Sequence, residues 1–300
     1  MRNSFLLRLA ACAVALLVSP SGARADAVLA KIAVRPALWT VHGKGATLYL
    51  FGSIHLLPQN LTWHTQAIDA ALSASKIFVF EAPIDDSGKA QMTDFLRDNG
   101  MLPDGTTLPD ILPKDALADY RRAVADAGLP EHALDRDQPW LAEASIEVAS
   151  LQQMRYLAAD GVDQELFRWA SAHGKTLRYF ETPAQQLALL IPRDKGHELA
   201  DFDSDLKAFR NEQNTIGALV DAWGTGDVKT VGRLMRSDMA SDPAARKAII
   251  DDRNRNWIKT LDTLLAGNSD VFVTVGTGHL VGPKGVPALL RAQGYRVDGP

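Results

Sequence analysis

Apolar positions recur along this chain with two different periods, and each run predicts an element. In "ALWTVHGKGATLYLFGS", two alternating runs, 38–41 and 47–51, flank the turn-forming HGKG and predict a β-hairpin. A helix follows over about 64–73. Next comes "KIFVFEAP", a compact buried strand that ends in Glu81 and is stopped by Pro83. From 87 to 139 helical patches are broken by turns, notably "MLPDGTTLPDILP", which marks this region as mobile or substrate-facing. Two helices are expected between 139 and 172. The second buries Val162, Leu166, Trp169 and Ala170 at i, i+4, i+7, i+8 spacing and ends at His173 and Gly174.

"TLRYFETP" repeats the earlier strand pattern, ending in Glu181 with a proline two residues on. Leu206, Phe209, Ile216, Leu219, Val220 and Trp223 then form the apolar stripe of a long helix closed by Gly224. Another helix runs through "AIIDDRNRNWIKTLDTLL". The chain finishes with the strand of "DVFVTVGTGHL", a short helix near 286–292 and the strand-like "YRVD". Short buried strands separated by helices indicate an α/β fold: a largely parallel central sheet with an N-terminal β-hairpin, flanking helices and a helical insertion at about 87–175. No repeat or low-complexity tract divides residues 26–300, which read as a single domain.

The first stretch stands apart from this pattern. Arg2 and Arg8 precede the apolar "LAACAVALLV", and "SPSGARADA" places Ala23 and Ala25 at the small-residue positions of a signal-peptidase site. Residues 1–25 therefore read as an export signal cleaved before Asp26, giving a periplasmic or secreted protein with no transmembrane segment. "LAAC" has the local look of a lipobox, but most of the apolar run follows Cys12. Cleavage leaves 29 basic against 36 acidic residues, a net charge of about −7, which argues against a nucleic-acid partner. It also removes Cys12, the sole cysteine. Disulfides, thiolate metal sites and cysteine nucleophiles are thereby excluded, and any metal must be held by His, Asp or Glu.

Seven histidines supply the imidazoles: 42, 55, 64, 132, 173, 197 and 279. His173 suits a helix end, His132 and His197 sit in charged surroundings, His42 falls in the hairpin turn, and His64 lies at a helix start. His55 and His279 differ. Each follows a strand and stands three residues after a glycine, Gly52 in "GSIH" and Gly276 in "GTGH". A glycine there lets the chain turn sharply off the strand and present the imidazole at its carboxyl end, where open parallel sheets bind ligands. Glu81 and Glu181 end strands in the same way, so parallel strands would bring all four residues to one rim.

Two imidazoles with one or two carboxylates suit a divalent metal that keeps positions open for water, the ingredients of hydrolysis. Spacing alone leaves a second reading open, in which both histidines are core residues at strand ends. Helix N-caps would equally explain the repeated Glu-x-Pro. No GxSxG, HExxH or Walker pattern offers another chemistry. On the helix near 254, Ile250, Asn254, Trp257 and Leu261 form one stripe; a buried Asn254 needs a partner, and Arg253 beside it could reach the same rim.

The segments "LWTVHGKGATLYLFGSIHLLP", "FVFEAP", "GVDQELFRWASAHGKTLRYFETPAQQL", "RNRNWI" and "VFVTVGTGHLVGPKGVPALLRAQGYRV" together resemble the TraB/PrgY/GumN family, related to the Tiki metalloproteases. The resemblance implies a fold shared with erythromycin esterases and a haem-binding lipoprotein family. It also implies a metal-dependent centre of two GxxH motifs and a glutamate. By position these are Gly52 with His55, Glu81, and Gly276 with His279, the side chains of His55, Glu81 and His279 being the metal group. Glu181 with Gln186, Asp163, and Arg253 with Asn254 match further family positions. The expectation is an exported metal-dependent hydrolase, most plausibly a peptidase, using Mn, Co, Zn or Fe on a peptide or other small extracytoplasmic substrate. The rivals are a binding protein that sequesters a peptide, haem or saccharide without turnover, and a metal-free esterase with His55 as base.

Overall fold

A computed structural model describes residues 30–191, 198–240 and 242–300. The expected export signal and His197 lie outside the described residues, as does the side chain of Phe209. Six strands form the central sheet: β1 (Leu38–His42), β2 (Thr47–Ser53), β3 (Ile77–Phe80), β4 (Thr176–Tyr179), β5 (Val271–Gly276) and β6 (Arg296–Asp298). Their order is β6-β1-β2-β5-β3-β4. The four strands from β2 to β4 run parallel, while β1 and β6 add antiparallel at one edge. The fold is thus the α/β architecture expected, with the hairpin at its start. His42 ends strand β1 instead of lying in the turn, and pairs with Asp298 of β6 at 2.7 Å.

Alternation along the strands divides the core between the two sheet faces. Phe51, Phe78 and Phe272 point to one face, where α1 (Gln66–Ala74) and α5 (Val162–Ala172) bury Ile68, Leu72, Val162 and Leu166. Leu48, Leu50, Val271, Val273 and Val275 point to the other, under Trp257, Leu261 and Leu265 of α9 (Arg253–Leu265) and Leu290 of α10 (Val286–Ala292). The helices between β3 and β4 begin with α2 (Asp86–Asn99), α3 (Lys114–Asp126) and α4 (Pro139–Gln153), which build separate clusters away from the sheet. Helix α5 is not part of that excursion: it lies on the sheet face as the return to β4.

After β4 come the short α6 (Pro183–Ala188), the long α7 (Glu198–Gly224) and α8 (Val228–Asp238). The helix α8 has no counterpart in the apolar pattern reading, nor do the two-residue ladders pairing Ile32–Ala33 with Leu61–Thr62 and Leu57–Pro58 with Tyr156–Leu157. Among the described residues no helix is long and apolar enough to cross a membrane.

Local capping explains where the helices next to the rim start. Asp85 accepts from Gly88 N at 2.8 Å, and Thr182 and Gln185 form a reciprocal capping box at the head of α6. The caps are therefore Asp85 and Thr182, which frees Glu81 and Glu181 from that role.

Gly52 also differs from expectation. It sits within β2 at ordinary backbone angles, so no special turn demands it. It is needed for space: a Cβ there would lie 2.8 Å from Thr277 Oγ1 and 3.1 Å from Thr277 Cα, while its carbonyl accepts from Trp223 Nε1 at 2.8 Å. Gly52→Ala is expected to destabilise the protein by about 2 kcal/mol through overpacking against backbone. Gly217→Ala, in α7 with nothing within 4 Å of the new Cβ, is expected to stabilise it by about 0.5–1 kcal/mol. Urea unfolding of the two variants would check both signs.

Candidate functional site

Because β2, β5, β3 and β4 are parallel, their carboxyl ends share one rim. Ser53 is in register with Gly276, and the β3–β4 ladder continues past the strands through Glu181 N to Glu81 O at 2.9 Å. His55, Glu81, Glu181 and the short helix Thr277–Leu280 that carries His279 all emerge there. A Cβ built on Gly276 would lie 3.3 Å from Glu81 Oε1, 3.7 Å from His279 Cδ2 and 3.9 Å from His55 Nε2. The two histidines and the glutamate of the sequence reading therefore meet around Gly276, where a side chain would press on Glu81 Oε1.

Arg253 stands at the middle of the group, only 5% exposed. Its Nε donates to Glu181 at 2.9 and 3.1 Å, and its Nη2 donates both to Glu181 Oε2 at 2.9 Å and to Glu81 Oε2. Its Nη1 donates to His279 Nε2 at 3.0 Å and to Ile249 O at 3.3 Å. The guanidinium also packs over the Trp257 ring, whose Nε1 donates to Glu181 Oε1 at 2.8 Å. A π-helical turn over Lys247–Asp252 runs directly into Arg253. Arg253 and Asn254 are both buried, and such turns are frequent at functional sites.

The two histidines are held in contrasting ways. His279 is buried, and its Nδ1 lies 2.6 Å from Asn254 Oδ1. Asn254 Nδ2 donates to Lys284 O and His279 O, so Oδ1 is the acceptor and His279 carries its proton on Nδ1. Its Nε2 lone pair then faces Arg253 Nη1. Burial first, then the Arg253 charge, pushes the imidazole down to about 3, against a smaller opposing pull from Glu81. His55 is partly exposed, and its Nδ1 sits 2.5 Å from Asp163 Oδ2 on the first turn of α5. Gly161 makes that contact possible: its Cβ would fall 2.0 Å from His55 O. The adjacent Val162 N donates to Ile54 O at 3.1 Å.

Glu81 is buried and accepts Gly276 N–H at 2.6 Å and Gln186 Nε2–H at 2.9 Å. Burial would raise its carboxyl, but Arg253, then His279 and His55, outweigh that and hold it at about 2. A cleft opens beside these groups, with His55, Glu81, Asp163, Gln186 and Arg253 on its polar side.

Comparison with family models decides the relationship: the TraB/PrgY/gumN family model matches residues 37–299. The chain belongs to the TraB/PrgY/gumN family. No curated protein matches it. The matched span of this family member contains every rim residue described above.

The metal group expected of a TraB/PrgY/gumN protein can be tested against this geometry. Among the described residues no three His, Cys, Asp or Glu side chains form a metal-holding group. The Arg253 guanidinium engages the His279 lone pair and one Glu81 oxygen. As arranged, the donors do not fit a divalent ion, and the guanidinium provides the positive charge instead. Asp163 and Gln186 had been placed by family position only; the structure puts both in contact with the rim pair they support. Gly161 and the π-helical turn went unread. Only the "GVD" next to a helix start hinted at the first.

Both buried groups titrate below their ordinary values, so the unfolded chain binds more protons than the folded one in acid. His279 contributes stability that is full above about pH 6.5 and lost as pH falls towards about 3; Glu81 does the same from about 4.5 towards 2. Urea midpoints are expected to fall steadily from pH 7 to pH 4, and His279→Gln to flatten that slope by about one proton.

Proposed function

We propose that this TraB/PrgY/gumN protein is a hydrolase of peptide or ester bonds acting at the carboxyl rim of its sheet. The observation that carries the reading is the His55–Asp163 pair, 2.5 Å apart, at the mouth of the cleft beside the buried Arg253. The Asp163 carboxylate lies against Nδ1 as an ion-pair contact, which favours the tautomer with its proton there and leaves Nε2, on the Gly276 side, as the basic nitrogen. His55 takes a proton from water as its oxygen attacks the scissile carbonyl. The same proton then goes to the departing nitrogen or oxygen as the C–N or C–O bond breaks. Arg253 supplies a fixed positive charge towards the developing oxyanion, and Glu81, Glu181 and His279 hold it there without reorganisation. Glu81 stays ionised and His279 neutral at pH 7, so neither is the proton donor.

The metal-dependent form of the same hydrolase is favoured by one observation, the convergence of His55, Glu81 and His279 within 4 Å of one point. It requires Arg253 to leave the His279 lone pair. The acidic balance of the chain fits small or peptide substrates, not nucleic acid. Export follows from the sequence pattern of residues 1–25, and mass spectrometry of periplasmic protein should find a chain beginning at Asp26.

The reaction is tested with peptide and aryl-ester panels assayed with and without EDTA. The expected result is EDTA-resistant turnover that falls at least 100-fold in His55→Ala and at least tenfold in Asp163→Asn. Turnover abolished by EDTA and restored by a stoichiometric divalent ion would replace this reading with the metal-dependent one. Ligand retention without any turnover would replace both with a binding protein.

A further inference from the structure

The cleft is also lined by side chains that the hydrolytic chemistry does not use. Ile84 follows β3, Met92 lies on α2, and Leu189 and Leu190 follow α6; all four line the cleft. Met92 and Leu190 are anchored in the cluster that also buries Leu187 and Trp140, so this wall is fixed by packing. Ile84 and Leu189 remain half-exposed at its edge. A wall of this kind recognises only apolar surface, because a charged group placed against it would lose water without gaining a partner.

The charges that line the cleft narrow the ligand further. Glu81 and Asp163 line the cleft against one cation, Arg253, whose charge Glu181 also shares. An anionic group entering here meets more carboxylate than guanidinium. We propose that Ile84, Met92, Leu189 and Leu190 form the specificity wall for the apolar, uncharged acyl portion of the substrate. That portion lies directly beside the carbonyl that His55 and Arg253 would address, so the proposal rests on the hydrolase reading for its orientation. The substrate class is then an ester or amide of a hydrophobic acid, including a peptide bond that follows an aliphatic residue.

The test uses the full mature chain and three probes of known charge, titrated by ligand-detected NMR: butanamide, hexanamide and hexanoate. Two extra methylenes resting on the wall are expected to make hexanamide bind about tenfold tighter than butanamide. Hexanoate, of the same length but anionic, is expected to bind at least tenfold more weakly than hexanamide. In Ile84→Ser and Leu189→Ser, both at half-exposed positions, the hexanamide preference is expected to drop to about threefold or less. Equal binding of the two amides, a preference unchanged in both variants, or hexanoate binding as well as hexanamide would each overturn the proposal. No turnover enters this readout. Loss of His55-dependent hydrolysis would therefore sink the reaction while leaving the wall standing, and loss of chain-length preference would do the reverse.

Discussion

The structure of the rim depends on one buried charge, the Arg253 guanidinium. A cation removed from water costs several kcal/mol unless its hydrogen bonds and charge are met. Here two carboxylates, an imidazole lone pair and a backbone carbonyl meet them. Each partner arrives from a different stretch of chain: Glu81 after β3, Glu181 after β4, His279 after β5, and Ile249 from the π-helical turn before α9. Satisfying one side chain thus requires three strand ends and one helix start to be in register at once. Breaking any of these contacts leaves an unmatched group in a dry place, which is why the cluster constrains the sheet as well as the chemistry.

Two copies of one short pattern, Gly-x-x-His, acquire opposite characters through their surroundings. In "GTGH" the imidazole is swallowed between Trp257, Asn254 and Arg253, loses its affinity for a proton and becomes an acceptor that steadies the guanidinium. In "GSIH" the imidazole stays at the cleft mouth with a carboxylate beside Nδ1. A symmetrical reading of the pair as twin metal ligands treats them as equivalent. The geometry separates them into a buried imidazole that meets Arg253 and a partly exposed one beside Asp163, and the proposed reaction gives the proton to the second.

What was legible in the sequence, and what was not, follows from the range of the interactions involved. Alternation in "TLYLF" and the solid apolar runs "IFVF" and "VFVTV" report burial of each strand locally, so the sheet and its parallel core could be read directly. Parallel strands then forced His55, Glu81, Glu181 and His279 onto one rim, and the buried Asn254 announced that it needed a partner. That Arg253 could reach the same rim was also legible beside Asn254, but its partners Glu81, Glu181 and His279 were not, because each comes from a distant strand end. The reason for Gly52 was likewise hidden, since the clash it avoids is with Thr277, far along the chain. The helix α8 was legible but went unread: Val228, Val231, Leu234 and Met235 in "VKTVGRLMRSD" recur at helical spacing. The two-residue ladders are too short to carry any period.

The same electrostatics bear on how such a rim can support hydrolysis at all. Its carboxylates already exceed its single buried cation, so an oxyanion would add negative charge to a site that has a surplus. If His55 takes up the proton released by the attacking water, the His55–Asp163 pair changes from a neutral imidazole with a carboxylate to an ion pair. That adds one positive charge beside Gly276 at the moment the oxyanion forms. Proton uptake and charge development are then the same event, and the rim never carries the full excess. Arg253 alone, already shared among Glu81, Glu181 and His279, could not supply this compensation. In the proposed hydrolysis the buried arginine and the partly exposed histidine would therefore be complementary: Arg253 provides a charge that is fixed, and His55 one that appears only as the oxyanion forms.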